Sequence, residues 1–219
     1  MKLSRVVVGN AAVGVGVSQS HEGLKAIHKP GCAAAIWQRS PTADFQHWID
    51  NMDPEHLPKT RLIVAPDKVR DALQKTTLMC GTPNCPECGM LVDDISALAM
   101  IFADVMKADY IRLRLDVINT NACRKFHIDA VTARLVCTYR GTGTQYGIST
   151  DGAEPSRIFT VPSCAPIILR GTAWPTKPKS GLLHRSPPIE GTDETRLLLV
   201  LDPVKDPEPE ADHIRTTLH

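Results

Sequence analysis

The chain has 219 residues, and its 25 Lys+Arg against 24 Asp+Glu leave a formal net charge of +1. That balance gives no positive field for nucleic acid. No uninterrupted stretch of about 18 apolar residues is present, which excludes a membrane-spanning helix and leaves neither nucleic acid nor membrane as an expected partner.

The opening "MKLSRVVVGNAAVGVGVSQS" has Lys2 and Arg5 ahead of a Gly-rich apolar stretch. Asn10 interrupts it and no A-x-A-like cleavage site follows, so residues 1–20 are expected to form a mobile N-terminal arm rather than a signal peptide. "CAAAIWQR" (32–39) predicts a strand, "ADFQHWIDNM" (43–52) a short helix and "TRLIVA" (60–65) a second strand, after which Asp67 is expected to cap "KVRDALQKTT". A longer helix is predicted over 92–108. There Ile95, Leu98, Phe102, Val105 and Met106 recur at helical spacing behind acids in the first turn, a stripe that reads as core packing.

From residue 110 the period changes to two. In "YIRLRLDVI" (110–118), Ile111, Leu113, Leu115 and Val117 alternate with Arg112, Arg114 and Asp116. "ARLVCTY" (133–139), "RIFTVP" (157–162) and "APIILRG" (165–171) continue the series, and "TRLLLVLD" (195–202) suits a strand buried on both faces. Short strands with Gly and Pro punctuation behind helices predict an α+β chain: a flank over 21–108, a β-sandwich or barrel over 109–202, and a disordered Pro- and acid-rich tail over 203–219.

"CRKFHIDAVTARLVCTYRG" (123–141) carries His127-x-Asp129. With eight His and 24 acids, about one such pair arises by chance, so only its surroundings give it weight. If 126–129 is extended, His127 and Asp129 point to one side and can converge on one ion. His184, in "GLLHRSPP", follows His127 by 57 positions, beyond three intervening strand candidates. Two His and one carboxylate form a facial triad suited to non-haem Fe(II), with open positions for a co-substrate and O2. Arg196 follows His184 by 12 positions, at the head of the last strand, where a guanidinium can hold a dicarboxylate.

His-x-Asp, a distal His and a following Arg at these spacings resemble the Fe(II)- and 2-oxoglutarate-dependent dioxygenases. The resemblance implies a double-stranded β-helix (jelly roll) over about 110–202, with His127, Asp129 and His184 as iron ligands and Arg196 on the distal carboxylate of 2-oxoglutarate. Members often place a small hydroxyl residue two positions after the Arg; here that residue is Leu198, and Tyr139 or Arg140 is the expected substitute contact. "IWQR", "CRKFHIDAVTARLVCTYRGTGT", "LLHRSPP" and "RLLLVLD" also resemble a bacterial family known only as a domain of unknown function, some members of which are encoded near zinc-homeostasis genes. The expectation is a metal-dependent oxygenase, with a cupin-like enzyme that needs no 2-oxoglutarate as a weaker variant. Its substrate, a small molecule or a protein, is left open.

Cysteines stand at 32, 80, 85, 88, 123, 137 and 164. The odd number and the size of the chain argue against a disulfide framework and for a reduced, cytoplasmic protein. "CGTPNCPECGM" clusters Cys80, Cys85 and Cys88 in a C-x4-C-x2-C pattern that can hold Zn2+, with Cys32 or Cys123 as a fourth ligand, or act as a redox pair. The rival reading is thus a non-enzymatic zinc-binding or metal-homeostasis protein.

Overall fold

A computed structural model describes residues 11–207. The strands are β1 (Gly14–Ser18), β2 (Cys32–Trp37), β3 (Thr60–Val64), β4 (Tyr110–Ile118), β5 (Ala133–Arg140), β6 (Gln145–Ile148), β7 (Phe159–Thr160), β8 (Ile167–Arg170), β9 (Leu182–Arg185) and β10 (Arg196–Val204). The helices are α1 (Ala43–Asn51), α2 (Val69–Met79) and α3 (Pro86–Met106). A seven-stranded sheet runs β1-β2-β8-β5-β10-β4-β3, and a three-stranded sheet runs β7-β6-β9. Every pairing is antiparallel except β1 with β2.

Two apolar layers hold these parts together. Leu197, Leu199 and Leu201 of β10 face α3, whose Ile95, Leu98 and Phe102 are fully buried in the same cluster. On the opposite face Leu198 and Val200 meet Val136, Ile167, Leu169 and, from the small sheet, Leu182. The large sheet is therefore covered by helices on one side and by the small sheet on the other, which is why β10 reads as an apolar run. β4 forms the neighbouring wall in strict alternation, with Arg112, Arg114 and Asp116 on the inner side opposite Asp202, Val200 and Leu198.

Several expectations need correction. Gly14–Ser18, assigned to a mobile arm, is an edge strand on β2, so β1, β2 and β3 extend the large sheet well before residue 109. Residues 1–10 and 208–219 lie outside the described residues. Asp67 does not cap α2; it sits in a 3-10 turn, Pro66–Lys68, that leads into the helix. α3 starts at Pro86, six residues before the predicted start, with Pro at a first-turn position where a missing N–H costs nothing.

Leu199 is fully buried between α3 and the sheet, whereas Leu78 is 81% exposed. We expect Leu199→Ala to lose about 2–5 kcal/mol of unfolding free energy, and Leu78→Ala to stay within about 0.5 kcal/mol of the parent. Urea titration of both variants checks this.

Candidate metal centre

The chain from 120 to 130 forms no regular strand, yet it is tied to β9 at one residue. The His127 N–H donates to the His184 carbonyl at 3.0 Å, and the His184 N–H donates to the His127 carbonyl at 3.0 Å. Residues paired directly across an antiparallel bridge share a side, so the two rings lie 4.5 Å apart between centroids. Alternation returns Asp129 to the side of His127. Its backbone is held in turn by the Thr172 N–H, 2.9 Å from the Asp129 carbonyl. Gly171 permits that close approach: a Cβ there would stand 1.8 Å from the Val131 carbonyl oxygen.

The side chains then converge. His127 Nδ1 lies 2.8 Å from the Lys125 carbonyl, which can only accept, so Nδ1 carries the proton and Nε2 offers its lone pair to the site. His127 Nε2 is 3.5 Å from Asp129 Oδ1, and His184 Nε2 is 3.0 Å from Asp129 Oδ2. Among the described residues, this is the one group of three or more His, Cys, Asp or Glu whose ligand atoms all lie within 4.8 Å of one another. Asp129 Oδ2 is buried and has no hydrogen bond of proper alignment, despite the nearby imidazole. A buried carboxylate oxygen with spare lone pairs, grouped with two imidazole nitrogens, fits a divalent ion such as Fe(II), which three protein ligands would leave with positions for other molecules.

Arg134, on β5, orients the carboxylate. Its Nη1 donates to Asp129 Oδ1 at 2.5 Å, while Nε and Nη2 form a fork on Asp202 at 2.7 and 2.8 Å. Burial disfavours the charge on Asp129, but the adjoining imidazoles of His127 and His184 and the charge of Arg134 outweigh it and hold the carboxyl far below its ordinary range. The hydrogen bond to Asp129 raises His127, whereas burial lowers His184.

Beside the triad lies a cleft of about 110 Å³ lined by Arg114, His127, Arg134, His184, Leu198 and Val200, among others. Arg196 shares the inner face of β10 with Leu198 and Val200 and is fully buried. Its Nε donates to the Thr142 carbonyl at 2.7 Å, Nη2 lies 3.4 Å from Thr138 Oγ1, and Nη1 is buried without a partner. Burial pushes this guanidinium down to about 10.

Two expected contacts fail. Tyr139 is buried on the helical side, where its hydroxyl donates to Asp94 Oδ2 at 2.6 Å. The register of β5 on β10 slips there, pairing Arg140 with Leu197, and Arg140 reaches the Met52 carbonyl at 2.6 Å. Tyr139 keeps the helix-facing side of Leu135 and Cys137, and a bulge turns Arg140 to that side as well, so neither reaches the triad. The Cys80, Cys85 and Cys88 set also fails as a zinc site. Cys80 ends α2, Cys85 precedes α3 and Cys88 lies inside its first turn, so the three sulfurs do not gather, and burial raises the Cys85 and Cys88 thiols. Arg134, Asp202 and Thr138 were not singled out from the sequence; a polar residue within each strand's inward-facing set was the available signal.

The chain belongs to the family described as "Protein of unknown function (DUF1826)", whose model matches residues 18–202. No curated protein matches the sequence. Among solved structures it is similar to the dioxygenase for auxin oxidation 1 from Arabidopsis thaliana, determined as a 2-oxoglutarate binary complex, at 10% identity and a TM-score of 0.51 over 89% of this chain and 93% of that one. The rice dioxygenase for auxin oxidation gives 9% and 0.48 over 88% and 83%, and a Pseudomonas putida prolyl-4-hydroxylase gives 9% and 0.42 over 85% and 100%. The first likeness establishes a shared fold. No helix among the described residues is long and apolar enough to cross a membrane.

Replacing Arg134 with Met frees Asp129 to rotate and leaves Asp202, 1% exposed, without its fork. We expect metal affinity to fall about 10–100-fold, measured by anaerobic titration. Acidification acts in the same direction, because a ligating imidazole must be neutral. Since Asp129 raises His127, affinity should begin to fall above the usual imidazole value of about 6.5 and keep falling below it. An affinity that stays flat from about pH 8 to 5 would contradict this assignment of ligands.

Proposed function

We propose that the protein is an Fe(II)- and 2-oxoglutarate-dependent oxygenase built on a jelly roll. The strand order supports that architecture: β4-β10-β5-β8 form one face, and β7-β6-β9, continued by the His127 segment, form the other. The fold shared with a dioxygenase solved with 2-oxoglutarate supports it as well. The observation that carries the reading is the pairing of the convergent His127, Asp129 and His184 with a fully buried guanidinium, Arg196, on the inner wall of the same barrel.

Fe(II) held here, with 2-oxoglutarate and O2, would supply oxidising power as the co-substrate is converted to succinate and CO2. The chain's own residues do the rest. His127 and His184 present Nε2 atoms, and Arg134 prevents Asp129 from swinging out of the triad. Arg196 offers the unpartnered Nη1 to the distal carboxylate, a charge-assisted bond made stronger by apolar surroundings. Leu198 offers no hydroxyl, and Tyr139 and Arg140, expected in its place, are engaged with Asp94 and the Met52 carbonyl. Thr138 Oγ1, 3.4 Å from Arg196 Nη2, is the group that fills it from the neighbouring strand. Ile118, Val136, Leu198 and Val200 line the cleft with hydrocarbon and limit the access of bulk water. No observation favours the zinc-handling alternative.

Anaerobic Fe(II) titration with and without 2-oxoglutarate tests the proposal through the weak visible band of the chelate. We expect a band that needs both components, is abolished by His127→Ala and requires at least about tenfold more 2-oxoglutarate in Arg196→Met. Iron binding with no such band would leave an oxygenase that works without 2-oxoglutarate. Absence of iron binding would overturn the proposal.

A further inference from the structure

Arg114 is the cation in the cleft that the chain itself leaves without a partner. It lies at the middle of β4, opposite Val200, and lines the cleft together with His127 and His184. No hydrogen bond or ion pair engages it among the described residues, and its Nε is buried and unpartnered. Its neighbours differ. Arg134 is saturated by Asp129 and Asp202, Arg112 lies 3.8 Å from Asp202, and Arg185 donates to Gln145 Oε1 while stacking 4.4 Å over the Phe126 ring. A partly buried guanidinium that no carboxylate hydrogen-bonds is costly, Asp202 and Asp116 acting on it only through space, and an incoming oxyanion relieves that cost through a two-point fork.

We propose that Arg114 binds the acidic group of the primary substrate, and that this substrate is a small monocarboxylic acid. The assignment rests on the reading of the triad as an oxygenase centre. Charge limits the ligand: of the groups lining the cleft, Arg134 is already neutralised, so Arg114 and Arg185 against Asp116 leave one net positive charge. Asp116, on the same face of β4, disfavours a dianion such as phosphate. Size limits it too, since the cleft holds only about 110 Å³. Arg114 is not a second anchor for 2-oxoglutarate. It stands opposite Val200 and so is offset from Arg196 by four positions along β10, or about 13 Å of strand. The two guanidinium groups therefore serve two anions, one at each level of the barrel.

The burial of Nε makes the test direct, because its N–H exchanges slowly enough to be followed by arginine side-chain NMR on the isotope-labelled full chain. Acetate is the probe, with acetamide and inorganic phosphate as comparisons. We expect acetate to move the Arg114 Nε–H signal saturably, acetamide to leave it in place and phosphate to bind at least tenfold more weakly. Arg114→Gln assigns the signal and should abolish the response of the Val200 methyl signals to acetate; Arg114→Lys serves if the Gln variant does not fold. His127→Ala, which removes a metal ligand, should keep the acetate response, so loss of the metal reading and loss of the anion site give different results. With Zn2+ as a diamagnetic ion, 2-oxoglutarate should move Arg196 and leave Arg114 responsive to acetate. The inference is overturned if acetate and acetamide act alike, if phosphate matches acetate, or if 2-oxoglutarate itself saturates Arg114.

Discussion

The two backbone hydrogen bonds that tie His127 to His184 are the constraint on which the site depends. The segment carrying His127 has no strand of its own, and that bridge is what sets its register against His184 of β9. With it, elementary alternation suffices: the two imidazoles stand side by side, and Asp129, two residues on, turns back to meet them. Coordination by residues so far apart in sequence thus reduces to one antiparallel contact plus a period of two.

A second constraint is electrostatic. The inner face of the large sheet carries Arg112, Arg114, Arg134, Arg196 and Asp202 among Leu198, Val200 and Val136. Such placement does not serve stability, since hydrophobic replacements of buried charges are often neutral or favourable. It makes sense as preparation for charge that arrives later. Arg134 is satisfied within the protein and holds a ligand in place. Arg196 and Arg114 each keep a buried nitrogen unsatisfied, and in the function we propose these two receive the anions. On that proposal, the difference between paired and unpaired guanidinium groups on one wall separates a supporting role from a binding role.

Much of this was legible in the sequence. β4 and β10 declared themselves through strict alternation and through an unbroken apolar run, and the convergence of His127, Asp129 and His184 followed from period and spacing. What stayed hidden has physical causes. β1, β6 and β9 are short, and β1 and β6 contain glycine, so they lack the length for a periodic signal. Tyr139 falls with Leu135 and Cys137 on the helical face by plain alternation, whereas Arg140 was misplaced because a bulge in β5 reverses its face, and bulges leave no mark in alternation counts. The C-x2-C spacing does not gather its thiols on one ion, because α3 begins at Pro86, between Cys85 and Cys88. Arg134 was not singled out, because only the second sheet makes its face of β5 an interior.

The most direct test of the central claim, that one divalent ion is held by two imidazoles and one carboxylate, is X-ray absorption spectroscopy of the anaerobic Fe(II)-loaded protein. The account predicts an oxygen and nitrogen shell with multiple scattering from two imidazoles and no sulfur. A sulfur shell, or scattering from fewer than two imidazoles, would contradict it and return the metal chemistry to the cysteines.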